Sequence, residues 1–90
     1  MQYPFINIGF GNVVAKHRII AVLAPDSAPM KRLRDLASEQ LKLIDASQGR
    51  RIRAMIITDS DHVILSAVSL ETIVQRLKMG LDDDGFPEGS

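Results

Sequence analysis

The sequence predicts an α+β domain: a mostly antiparallel sheet, one main helix over about Ala28 to Gln40, and a short helix near the C-terminus. Three observations carry that prediction. Residues 47–68, SQGRRIRAMIITDSDHVILSAV, hold two β-rich runs around a short Asp59-Ser60-Asp61 turn, the pattern of an antiparallel hairpin. Met30, Leu33, Leu36, Ala37 and Leu41 recur every three or four positions, as one apolar stripe of a helix does. Ninety residues with no cysteine make one domain, with no disulfide framework and no thiolate zinc site to reinforce a modest core.

Taken in order, residues 4–8 read as a first strand. Gly9-Phe10-Gly11-Asn12 follows as a turn, since glycine and asparagine accept positive φ. Its G-x-G is no phosphate loop, because the third glycine and the following helix are missing. Val13 to Ala15 begins a second strand, the basic cluster Lys16-His17-Arg18 interrupts it, and Ile19 to Leu23 resumes it as a buried strand. Ser27 is a suitable N-cap for the main helix, and Pro29 fits its first turn, where a missing N–H costs nothing. Leu41 to Ala46 forms a third strand element, ending at the Ser47-Gln48-Gly49 turn. In the hairpin, alternation places Ile52, Ala54 and Ile56 on one face and Arg51, Arg53, Met55 and Ile57 on the other. The first face is core; the apolar end of the second needs a cover, and Met55, Ile57 and Ile64 are expected at subunit contacts. Ser69 caps a helix over Leu70 to Lys78, with Ile73 and Leu77 inward and Gly80 just past its end. Residues 1–80 thus form the domain, and 81–90, LDDDGFPEGS, an acidic disordered tail.

Zero net charge conceals an asymmetry. Residues 1–80 carry all 11 Lys and Arg but only seven acids, and the tail carries four acids and no base. The folded part is basic. No apolar run reaches the roughly 18 residues of a membrane span, and Met1-Gln2-Tyr3-Pro4 does not open like a secretory leader, so a cytoplasmic protein is expected.

Catalysis needs a nucleophile, a base or a metal in a pocket. Asp59-Ser60-Asp61-His62 after an apolar strand resembles the D-x-D of haloacid dehalogenase-type phosphatases. The chain is too short for that scaffold and its later lysine and acidic elements, and tight turns use Asp and Ser for their own backbone bonds. His17 and His62 are the only histidines, too few for a zinc site without cysteine. A non-enzyme is expected, with no cofactor, metal or small-molecule substrate.

Arg50, Arg51 and Arg53 follow Gly49 directly, and arginine's planar fork matches phosphate and the guanine edge. Lys16 and Arg18 join them in one basic surface if the second strand neighbours the hairpin. Lys31 and Arg32 oppose the helix dipole, which suits an anionic partner, although a solvated helix face explains them too. Salt bridges to Asp45, Asp59 or another subunit are the structural alternative for the arginines. Tyr3, Phe5, Phe10 and Phe86 lie far from them in sequence, which favours duplex backbone contacts over base stacking on a single strand. Few such residues per protomer bind weakly; a closed oligomer both multiplies the patch and supports the small core. The rival is an interaction module binding RNA or protein through the same arginines.

Several blocks carry a family likeness: FINIGFGNVV (Phe5–Val14), Arg18-Ile19-Ile20-Ala21, PDSAPMKR (Pro25–Arg32), LIDASQGRRIRA (Leu43–Ala54) and DSDHVILSAV (Asp59–Val68). In this order, over Phe5 to Leu77, the chain resembles the RemA family of bacterial DNA-binding regulators (extracellular matrix regulatory protein A). It departs from that pattern at His17, Gln48 and Ile52. The resemblance implies an activator of biofilm-matrix and osmoprotection genes, nucleoid-associated in the cytoplasm. It also implies a LytTR-like protomer in a ring-shaped homo-oligomer, an octamer, with double-stranded DNA around the rim. The family's DNA-contacting arginines fall on Arg18, Arg50 and Arg51, and Pro29 is implied to support assembly; Lys16, Lys31, Arg32 and Arg53 are expected as supporting charges on the strength of the residues themselves.

Overall fold

A computed structural model describes residues 5–82. A four-stranded sheet forms the middle layer, in the order β3 (Ile19–Leu23), β5 (Ala54–Thr58), β6 (Val63–Ser66), β4 (Leu43–Asp45). The β3–β5 and β5–β6 pairs are antiparallel and β4–β6 is parallel. Helix α1 (Ala28–Glu39) covers one face. A separate antiparallel hairpin, β1 (Phe5–Gly9) and β2 (Asn12–Ala15), covers the other together with helix α2 (Leu70–Asp82). The α+β class and the predominance of antiparallel pairing match the sequence. Among the described residues, no helix is long and apolar enough to cross a membrane.

Strand alternation divides the core. Ala54, Ile56 and Ile64 face the hairpin and α2, packing with Ile6, Ile8, Val14 and Ile73. Met55, Val63 and Leu65 face α1, packing with Ala37, Leu33 and Met30. The register agrees: Met55 lies opposite Leu65, and Ile56 opposite Ile64. Met55 is wholly buried beneath this chain's own α1, with Ile57 half-buried beside it, and Ile64 is buried in the other layer. The cover expected from a second subunit at Met55 is therefore supplied within the protomer. Ile52 packs with Met55 and Ile57 instead of with Ala54, because the strand begins at Ala54 and strict alternation does not reach back to it.

Three other expectations are corrected. Lys16–Arg18 is a 3-10 turn, and the strand after it leaves the β1–β2 hairpin to form the edge of the four-stranded sheet, so Ile20 is 64% exposed. Helix α1 ends at Glu39 with Gln40 as C-cap. Leu41 then takes a left-handed φ of 60°, its N–H bonding the Ser38 carbonyl while that of Lys42 bonds Ala37, a Schellman closure. That geometry turns Leu41 out of the stripe to 91% exposure, and Leu36 is half-exposed. Helix α2 continues through Gly80 to Asp82, and the remainder of the expected tail, 83–90, lies outside the described residues. Both N-caps form as read: Ser27 Oγ accepts from the Met30 N–H, and Ser69 Oγ from that of Thr72.

Candidate nucleic-acid interface

The arginines lie on the loop joining β4 to β5, and its two ends are fastened to β6. The Ala46 N–H donates to the Leu65 carbonyl at 2.9 Å, and the Arg53 N–H to the Ser66 carbonyl at 2.8 Å. Asp45 Oδ1 accepts from the Ser47 hydroxyl at 2.6 Å and from its N–H at 2.9 Å. Those bonds, the hydroxyl's first, hold the Asp45 carboxyl below its usual range. The Arg50 N–H then donates to the Ser47 carbonyl at 3.0 Å, closing a turn with φ of 54° at Gln48 and 79° at Gly49. Positive φ at both central residues is the sign pattern of a type I′ turn. Arg50, Arg51 and Arg53 leave this braced loop with exposed side chains.

The tip of the β1–β2 hairpin stands against them. Gly9, Phe10 and Gly11 all have positive φ (106°, 54° and 81°). The Gly9 N–H donates to Asn7 Oδ1 at 2.7 Å, and Asn12 Nδ2 to the Gly9 carbonyl at 3.1 Å. The buried Ser66 hydroxyl latches the tip to the sheet, donating to the Ile8 carbonyl at 2.8 Å and accepting from the Val68 N–H at 3.0 Å. Arg76 adds a 2.7 Å bond from Nη1 to the Asn7 carbonyl. Phe10 is 47% exposed, and the Arg50 guanidinium lies 5.7 Å from its ring centroid, within cation–π range. Gly9, Phe10, Arg50, Arg51, Arg53 and Val68 line an open depression of about 360 Å³. The aromatic that sequence distance separated from the arginines is thus in contact with one of them.

Arg18 is elsewhere. Because β3 runs antiparallel to β5 with Ile19 opposite Thr58, Arg18 lies at the hairpin-turn end of β5, while Arg53 precedes its other end. Six residues of extended chain separate those ends by about 20 Å. Arg18 Nε bonds both Asp59 carboxylate oxygens, at 2.7 and 2.9 Å, and its carbonyl accepts from the Asp59 N–H. The pair is about half-exposed, and among the described residues it is the only ion pair. Lys16 shares Arg18's 3-10 turn. The single basic surface expected of one protomer is therefore split between two ends. Lys31, Arg32 and Pro29 are exposed on α1, whose start lies near the arginine loop: Pro25 and Asp26 line a second depression with Arg51 and Arg53. In the Asp59–His62 segment, Asp59 is engaged by Arg18, and the Ser60 hydroxyl lies 2.8 Å from His62 Nδ1 and 2.9 Å from the Thr58 hydroxyl. This is a turn secured by its own side chains.

Sequence reasoning missed Phe10 and Ser66. A bulky apolar residue between two glycines, where a polar turn residue is usual, was the available signal for Phe10. Nothing local marks Ser66, whose partner is 58 residues away.

Comparison with known proteins places the chain. Residues 5–77 match the family model described as RemA-like, extracellular matrix regulatory protein A-like. A provisionally named regulatory protein of Pseudothermotoga lettingae is 57% identical over 80 residues, covering 89% of this chain and 88% of the relative. One from Geobacillus thermodenitrificans is 59% identical over 83 residues, 92% and 94% of the two chains. One from Clostridium botulinum is 52% identical over 89 residues, 99% and 98% of the two.

Proposed function

We propose that this chain, which belongs to the RemA-like family of regulatory proteins, is a transcriptional regulator that binds duplex DNA through its arginine loop. One observation carries the reading: three arginines within four residues, Arg50, Arg51 and Arg53, are exposed on a braced loop, and among the described residues none has a carboxylate partner within 4.0 Å. Guanidinium forks without a carboxylate partner suit phosphate: no ion pair has to be displaced first, and the loop backbone that carries them is already ordered.

Arg18 contributes from the opposite end of the sheet. Its bond to Asp59 uses Nε, and an exposed pair of this kind is worth little, so phosphate can replace the carboxylate. Lys16, Lys31 and Arg32 add charge at range. A closed ring of copies, eight in the octamer that the resemblance implies, multiplies both basic ends along one rim and carries DNA around it. Its support in the protomer is apolar: edge strands β3 and β4 display Ile20 and Ile44, and Leu36 and Leu41 lie exposed near β4. In this reading the protein activates matrix and osmoprotection genes and resides on the nucleoid.

The test is a mobility shift with Arg50→Ala and Arg51→Ala, alongside solution mass. Lost DNA binding with an intact oligomer supports the reading; a fallen mass assigns the arginines to the subunit interface. The logarithm of affinity should also fall steeply with the logarithm of salt concentration. A flat dependence would instead favour an RNA- or protein-binding module.

A further inference from the structure

We propose that Phe10 is a direct DNA contact, an apolar wedge that packs against sugar and base edges beside the phosphate held by Arg50. This rests on the duplex-binding reading of the arginine loop and adds a residue of a different chemistry to it. The backbone makes the first argument. Phe10 occupies the left-handed region, where a β-carbon is strained, in a tip flanked by two glycines of positive φ. A polar turn residue would fit that position with less strain, yet the chain places a phenyl ring there and leaves it half-exposed.

Rigidity makes the second. The Ser66 hydroxyl, the Asn7 and Asn12 side chains and the close seat of Gly9 on Val68 hold the tip in place. A ring on such a support meets its partner with little ordering left to do.

Electrostatics decides which side an anion takes. Arg51 and Arg53 are shared by two depressions. The one toward the start of α2 is also lined by Asp26 and Glu71, whereas the one toward the hairpin is lined by Arg50 and Phe10 and by no acid. A polyphosphate backbone therefore settles on the Phe10 side. With Arg50 stacked over the ring, a phosphate on that guanidinium brings sugar and base edges within reach of the phenyl edge. Apolar side chains beside arginines act in this way at base steps. A lone ring is too little for a single-strand stacking track, which needs several.

Three variants test it: Phe10→Ala, Phe10→Leu and Phe10→Trp, each first checked for native circular dichroism. F10A is expected to weaken duplex binding about tenfold at fixed salt, the effect of withdrawing part of a phenyl ring from water. The salt dependence should stay unchanged, because a phenyl ring displaces no counterions. Arg50→Ala, titrated at the low salt where its residual binding can be read, should lower that slope by about one per engaged protomer, and the double variant is compared with it there. F10L, which keeps an apolar side chain at the tip, should retain part of the affinity. The chain has no tryptophan, so F10W introduces a single indole whose emission should be quenched, and shielded from acrylamide, in the saturated complex.

Wild-type affinity in F10A, while R50A has lost binding, overturns the wedge and leaves the arginine reading standing. So does an F10W indole that stays open to acrylamide in the saturated complex. A salt slope in F10A reduced as in R50A, with the double variant no weaker than R50A alone, also overturns direct contact and makes Phe10 a positioning residue for Arg50. A wild-type protein that binds no duplex overturns both readings together.

Discussion

Gly9 has two reasons to be glycine. Its φ of 106° is hostile to a side chain, and a β-carbon there would sit 3.1 Å from Val68 Cγ2. Gly9→Ala should cost about 1–3 kcal/mol of stability in denaturant unfolding and weaken duplex binding, since a side chain is strained at that φ and crowds Val68, loosening the seat of the hairpin tip. Asp45 makes a different kind of contribution. Its depressed carboxyl, held mainly by the Ser47 hydroxyl, contributes stability that is fully present above the unfolded carboxylate value of about 3.9. That contribution is lost as pH falls through the lower folded value. Asp45→Asn should therefore fall short of the wild type by a constant margin from neutral pH to about 5, and the margin should close below about 4. A margin that widens in acid would contradict the assignment. At Arg18, Asp59→Asn should change stability by less than about 1 kcal/mol, because the pair is half in water.

Among the elements, α1 and the β1–β2 hairpin are the two whose attachment can be tuned. Helix α1 closes on a leucine in the left-handed position that glycine usually fills. Leu41→Gly should raise stability by about 1 kcal/mol, measured in an Ile20→Asp background that takes the proposed ring apart, because within the protomer Leu41 is almost wholly exposed and has little packing to lose. The hairpin depends on Ser66. Removing its hydroxyl strands the Ile8 carbonyl and the Val68 N–H, a cost of about 1–3 kcal/mol. Ser66→Ala should reduce DNA binding more than thermal unfolding suggests, since the tip it releases carries Phe10.

For the whole molecule, the issue is how two basic ends about 20 Å apart come to act together. The proposed ring would answer this by repetition, with the exposed apolar residues on the sheet edges as its seams. Ile20→Asp, on edge strand β3, should lower the solution mass toward that of a monomer and weaken DNA binding through lost avidity, with secondary structure retained. An unchanged mass would move the seam away from β3. Removing residues 81–90 should leave affinity unchanged if the acidic segment only solubilises; a gain would show that it competes with DNA for the arginines.

Short-range chemistry was legible from the residues alone. Turn formers, N-caps and apolar periodicity located the strands, both helices and the arginine loop, because each depends on neighbours within a few positions. Boundaries slipped where a backbone exception intervened, as at Leu41. Only the tertiary structure decided which side chains meet: Met55 under its own α1, Arg18 at the far end of β5 from Arg53, and Phe10 beneath Arg50. Those outcomes follow from strand order and register, which join residues tens of positions apart and leave no periodic trace in the chain.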